Sequence, residues 1–254
     1  MVQAAACRAV LYGFNSHPRL HFALIKFRGL KQGNTKMGEK TDFSQLSQSL
    51  MNKTVTKDGL LNRVKQDFSL IPLLLKGVNH PRAAVRYGCS KVLMDLSEEH
   101  PEKLYPHFDS FIELLDSKYR ILTWNALAIV ANLTRVDTDK KFDAIFGKYY
   151  SFLGNDYMVT VANVVGNSGK IAHAKPYLIP EITEELLKVQ DISTSPHLTE
   201  ECRRVIAQNT IRTFDLFFDR IDQKERVTSF VKACLDSPRK KLRTAAEKFL
   251  EKWG

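Results

Sequence analysis

NHPRAAVRYGCSKVLMDL, from Asn79 to Leu96, reads as one helix behind a short polar turn, and the chain repeats its pattern. DSKYRILTWNALAIVANL begins at Asp116, and DSPRKKLRTAAEKFLEKW begins at Asp236. Each copy opens on Asp or Asn. An aliphatic residue follows six positions later (Val85, Leu122, Leu242), and apolar or small residues then recur at helical spacing.

Between these copies lie helices of a second kind, with an early proline and a leucine-rich face: Ser69–Val78, Glu102–Leu115 and Pro176–Val189. Proline is tolerated near a helix start because the first N–H groups have no intrahelical partner there. Pairing the two kinds gives five units, 67–98, 101–136, 139–172, 175–219 and 222–254, preceded by helical periodicity over 43–66. No stretch shows sustained alternation of apolar and polar residues, so almost no β-structure is expected.

A repeat of two antiparallel helices cannot bury its apolar face alone, and stacking the next pair covers it. The fold expected is therefore all-α, a right-handed α-solenoid of about five antiparallel helix pairs. Its core positions are Val85, Cys89, Val92 and Leu96; Leu122, Ala126, Ile129, Val130 and Leu133; Leu242, Ala246, Phe249 and Leu250. Gly88, Ala126 and Ala246 leave room for close helix approach.

NHPRAAVRYGCSKVL and DSPRKKLRTAAEKFL resemble the second helix of a HEAT repeat: a turn on Asp or Asn, an aliphatic residue followed by Arg (Val85-Arg86, Leu242-Arg243), then small and leucine positions. The resemblance covers about 67–254. The copies between depart from it: Thr123 follows Leu122, the third copy is shifted by a residue, and the fourth carries a link from Ile192 to Thr199. The resemblance implies a scaffold with a protein-binding role, its second helices lining a concave face. It implies no cofactor.

The net charge of +10 suggests nucleic acid until it is divided along the chain. Residues 1–66 hold 11 Lys/Arg against 3 Asp/Glu, residues 67–219 hold 17 against 20, and residues 220–254 hold 10 against 5. A groove that tracks a phosphate backbone should be basic along its length, whereas here the excess sits at the two ends. No window approaches 18 uninterrupted apolar residues, so no membrane span is expected. Cys7, Cys89, Cys202 and Cys234 are far apart and form no CxxC, which suits a reducing cytoplasm.

VVGNSGK, Val164–Lys170, fails as a phosphate-binding loop: the first glycine of GxxxxGK falls on Val164, and no Ser or Thr follows Lys170. It reads as a helix weakened by Gly166 and Gly169, marking either a joint or a close contact. The seven histidines form no metal-ligand spacing, and Glu98-Glu99, Glu184-Glu185 and Glu200-Glu201 read as polar helix faces and ends rather than acid/base pairs.

Tyr87 and Trp124 are the better candidates for contact. Each lies two residues after its aliphatic anchor, off the core stripe, so neighbouring repeats should place them side by side. Asn125, Asn132 and Asn163 join them as partner-binding candidates, and Arg239, Lys240, Lys241 and Arg243 form a basic patch at the start of the last helix.

The first reading is a non-enzymatic scaffold that binds another protein. The alternatives are a nucleic-acid-binding protein, acting through its basic termini, and an enzyme similar to HEAT-like DNA glycosylases for alkylated bases. The chain shows no match to the catalytic aromatic-plus-aspartate arrangement of those glycosylases. The segment 1–42 stands apart as a poorly ordered or atypical N-terminal segment: the repeat never reaches it, and the polar, Gly-containing GLKQGNTKMGEKTD suggests a linker or disorder. Residues 1–36 are expected to lie outside the folded unit. MGEKTDFSQLSQSLM, from Met37, passes into helical periodicity as a natural start would; the competing expectation is a capping helix over Ala4–Phe14.

Overall fold

The computed structural model describes residues 42–254; the expectations for 1–36 and for a helix over 4–14 lie outside the described residues. Two helices, α1 (Phe43–Met51) and α2 (Lys57–Gln66), lead into five helix pairs. These are α3 (Ile71–Gly77) with α4 (Ala83–Glu99), and α5 and α6 (Pro101–Leu104, Phe108–Leu115) with α7 (Arg120–Leu133). Then come α8 (Lys141–Ser151) with α9 (Met158–Ala174), α10 (Ile179–Leu187) with α11 (Glu200–Asp215), and α12 (Lys224–Lys232) with α13 (Lys240–Trp253). The described residues contain no strand, only an isolated bridge between Ser195 and Leu198.

The long second helices form one layer in which α4, α7, α9, α11 and α13 each pack on the next. The shorter first helices form the other layer, so the molecule is an α-solenoid. The core runs between the layers as a ribbon. The positions expected to fill it are buried, from Val85 and Cys89 through Ala126 and Ile129 to Ala246 and Phe249; Leu250 is packed against it at half burial.

The prolines mark where first helices begin. Pro72 and Pro180 sit in the opening turns of α3 and α10, where a missing N–H leaves nothing unpaired. Pro106 acts differently: the helix expected from Glu102 to Leu115 is split by a 3₁₀ turn, Tyr105–His107, into α5 and α6. The link from Ile192 to Thr199 is anchored by buried Leu198, and the Thr199 hydroxyl caps α11 by accepting from the Cys202 N–H.

The aliphatic-Arg motif has a local cause. In front of α4, α7, α9 and α13, the side chains of His80, Ser117, Asn155 and Ser237 each accept from the N–H two residues on, at 3.0–3.3 Å. The residue after the aliphatic anchor then donates back to the carbonyl at the start of that turn. Arg86 reaches the His80 carbonyl at 2.9 Å, Arg243 reaches that of Ser237 at 2.6 Å, and Thr123 reaches that of Ser117 at 3.3 Å. Thr123, where the sequence departs from the repeat, thus makes the bond its arginine counterparts make. Thr123→Val keeps the shape and removes this bond, and is expected to cost about 1 kcal/mol in urea unfolding. An unchanged midpoint would show that the turn closes without it.

Candidate interaction face

Each second helix keeps one stripe out of the core. On α7 the stripe is Ile121, Trp124, Asn125 and Ala128, at spacings that place all four on one helical face. Ile121 is 40% exposed, and the other three are half-buried. On α9 the stripe is Val159, Asn163, Gly166 and Lys170; on α4 it is Tyr87, Lys91, Met94 and Glu98. Because α4, α7 and α9 pack side by side, the stripes lie in rows. Ala128 and Gly166 keep the middle of the surface low.

Hydrogen bonds one repeat apart hold the rows in register. The Asn125 amide donates to the Ser90 hydroxyl at 2.8 Å, the Asn132 amide to the Ser97 hydroxyl at 2.9 Å, and the Trp124 indole to the Thr160 hydroxyl at 3.0 Å. Lys170 donates to the Asn132 side-chain carbonyl at 2.8 Å. These bonds decide which candidates remain open to a partner. Asn132, expected as a contact, is 3% exposed and has both ends of its amide engaged, so it is glue between repeats. Asn163 donates to the Val159 carbonyl of its own helix at 2.8 Å and remains half-exposed.

Tyr87 and Trp124, expected side by side, each have another partner in the structure. The ring that meets Tyr87 is Tyr119, edge-on at 6.4 Å, with the buried Arg86 guanidinium 3.7 Å from the Tyr119 ring centre and 4.8 Å from that of Tyr87. Tyr119 precedes α7 on the side facing α4, whereas the Trp124 indole reaches forward to α9. Tyr87 and Trp124 are both half-buried rather than enclosed.

The basic patch also divides. Arg239 is turned onto α11, where its guanidinium donates to the Gln208 side-chain carbonyl at 3.2 Å and meets the Glu201 carboxylate. Arg243 closes its turn as described above. Lys240 and Lys241 remain exposed. Sequence reasoning stopped at Arg243 and missed Lys248, Lys252 and Arg212, which share a groove with the two lysines. The signal was present, since Lys248 and Lys252 follow Lys241 at helical spacing.

The glutamate doublets are ion-paired rather than set against each other as acid and base. Glu99 pairs with Lys65 at 2.5 Å, Glu185 with Lys188 at 2.7 Å, and Glu184 with Arg226. Val164–Lys170 is uninterrupted helix within α9, and Gly169 is a close contact: a Cβ there would lie 2.6 Å from the Leu216 side chain. Among the described residues no cluster of His, Cys, Asp and Glu could hold a metal ion, and no helix is long and apolar enough to cross a membrane.

No family model matches the sequence, and no curated protein matches it. Solved structures do match in fold. A designed armadillo repeat protein aligns with TM-score 0.55 at 16% identity, over 84% of this chain and 93% of its own. A second designed armadillo repeat protein, in complex with the peptide (KR)4, aligns with TM-score 0.56 at 15% identity, over 84% and 91%. A third, computationally designed for modular peptide recognition, aligns with TM-score 0.53 at 15% identity, over 83% and 92%. At these identities the likeness is one of fold, a helical-repeat solenoid.

Proposed function

We propose that this chain is a non-enzymatic scaffold whose second-helix face binds an extended segment of a protein partner. The observation that carries the reading is the α7 stripe: Ile121 and Trp124 present apolar area beside Asn125 and Ala128, in a row flanked by the α4 and α9 stripes. Apolar side chains of a partner would pack on Ile121 and Trp124. The half-exposed amides of Asn125 and Asn163 offer the donors and acceptors that a peptide backbone needs. Similar solenoids designed for peptide recognition support the reading. We favour it over the DNA-glycosylase reading because Trp124 has Thr160 as its hydrogen-bond partner and Ile121, Asn125 and Ala128 on its own stripe, not a carboxylate. Three unpaired thiols, Cys89, Cys202 and Cys234, suit a cytoplasmic setting.

Selection of peptides from a displayed random library tests it. Selected peptides are expected to lose affinity about tenfold on Trp124→Ala, since tryptophan truncation at interfaces commonly removes that much or more. Ile121→Glu is expected to weaken them similarly with no change in melting temperature, because Ile121 is a surface side chain. Binding that survives both substitutions would place the site elsewhere and defeat the proposal.

A further inference from the structure

The last two second helices, α11 and α13, enclose a groove of about 710 Å³. Its cations are Arg212 from α11 and Lys240, Lys241, Lys248 and Lys252 from α13. The carboxylate in the lining, Asp215, already accepts from Lys252 at 2.7 Å and from the Trp253 indole at 2.7 Å. Arg212, Lys240, Lys241 and Lys248 are exposed and have no ion pair among the described residues. Lysines on other second helices do have one: Lys91 pairs with Asp95 at 2.5 Å, and Lys170 with Glu98 at 3.5 Å.

The arrangement works against the helix that bears it. Lys248 and Lys252 are four residues apart, where like charges repel across a turn. Lys240 and Lys241 stand in the first turn of α13, where the helix dipole favours an anion and disfavours a cation. Glu247 and Glu251 of the same helix lie outside the groove lining, so α13 sorts its charges by face. A solvated terminal cap needs polarity but no such sorting. Half-buried Ala245 lies between the cations, over buried Ile211 and Phe249 at the groove floor.

We infer that this groove binds the acidic part of a partner polypeptide, one that carries several Asp or Glu side chains close together. The inference rests on the scaffold reading above and deepens it. A protein partner is favoured over nucleic acid because the positive strip ends. The α7 stripe carries no charge, and the cations of the α9 and α4 stripes, Lys170 and Lys91, are paired with Glu98 and Asp95. A phosphate backbone is charged along its whole length and would find no free cation on those stripes. A polypeptide can place its carboxylates at one end.

The test uses the whole chain and three probes: a short fluorescein-labelled peptide alternating Glu and Leu, its Lys and Leu counterpart, and an oligo-dT strand. Fluorescence anisotropy is expected to show the acidic peptide binding more tightly than either of the others and weakening as salt is added. The double reversal Lys241→Glu with Lys248→Glu should weaken it about tenfold or more, without lowering the melting temperature, because both lysines are exposed and unpaired and the reversal removes the like-charge and dipole conflicts on α13. Equal binding of the Lys peptide, or indifference to the reversal, would overturn the inference. Tighter binding of oligo-dT, lost on reversal, would overturn it in favour of a nucleic-acid site. Library-selected peptides that depend on Ile121 are measured in parallel. If they bind while the acidic probe does not, this inference alone falls; if neither binds, the scaffold reading falls with it.

Discussion

Lys175→Met is expected to lower stability by about 3–5 kcal/mol, the cost of leaving a buried charge without its partner. The Lys175 and Asp137 side chains are 4% and 0% exposed, with Lys175 Nζ 2.9 Å from Asp137 Oδ2 and 3.1 Å from Asp143 Oδ1. Asp137 does more than pair. Its carboxylate accepts from the Tyr105 hydroxyl at 2.7 Å and from the N–H groups of Lys141 and Phe142 at 2.8 and 2.9 Å, which open α8. Tyr177 donates to Asp143 at 2.8 Å. The cluster therefore ties the second, third and fourth pairs together. Since a solenoid is held by nearest-neighbour interfaces, the variant should melt about 10 °C lower, and its transition should broaden or split. An apolar pair, Asp137→Ala with Lys175→Met, should not recover wild-type stability, because the α8 N–H groups would still lack their acceptor. A melting temperature within a degree or two of wild type for Lys175→Met would refute this account.

The same cluster sets a pH dependence. Burial tends to raise the Asp137 carboxyl, but the Tyr105 hydroxyl, the Phe142 and Lys141 N–H groups and Lys175 outweigh it and hold the group below its ordinary value of 3.8. Burial tends to lower the Lys175 ammonium, but Tyr177, Asp137 and Asp143 hold it above its ordinary 10.5. A carboxylate depressed on folding contributes stability that is full above its unfolded value and lost as pH falls through the folded one. A raised ammonium contributes below its unfolded value and loses this as pH rises through the folded one. The stability difference between wild type and Lys175→Met should thus be level between about pH 5 and 9 and shrink on acidification below about pH 4. A difference that stays constant down to pH 2 would show that Asp137 is not the partner that matters.

Gly77→Ala should cost up to about 3 kcal/mol, the range for overpacking a filled core. A Cβ at Gly77 would lie 2.3 Å from the Cys89 sulfur and 3.1 Å from its Cβ, with Phe43 at 3.8 Å. Alanine is the better helix former by about 1 kcal/mol in a helix interior; Gly77 ends α3, so propensity alone predicts only a part of that gain here. The contact decides the sign, because the obstacle is a short side chain on the facing helix α4 and not the tip of a flexible one. Burial pushes the Cys89 thiol up to about 12, so it remains a neutral, small, packed group. Combining Gly77→Ala with Cys89→Ala removes the nearer of the two clashing atoms. Urea unfolding of the double variant should show less destabilisation than the two single changes summed. Simple additivity would mean that α3 shifts freely and that close approach is not what glycine provides.

Much of the architecture lies within reach of local chemistry. The helical spacing after Asn79, Asp116 and Asp236 marks the second helices, and their buried faces follow from which positions recur. The turn devices, His80 with Arg86 and Ser117 with Thr123, span six residues, so composition and spacing suffice to locate them. What joins one repeat to the next does not share this property. Asn132 looks like a surface amide until stacking sets Ser97 and Lys170 against it, 35 and 38 residues away. No local pattern marks Lys175, and burial between Asp137 and Asp143 makes it a tie across repeats. Arg239 and Arg243 belong to one basic run in the sequence, yet one is drawn onto Glu201 and the other onto its own turn. Lys241 and Lys248 are left with no counter-ion beside them. Periodicity says which side of a helix faces the core; only the rotation and offset of the neighbouring helix decide which polar groups on the other side are satisfied there and which stay open to a partner.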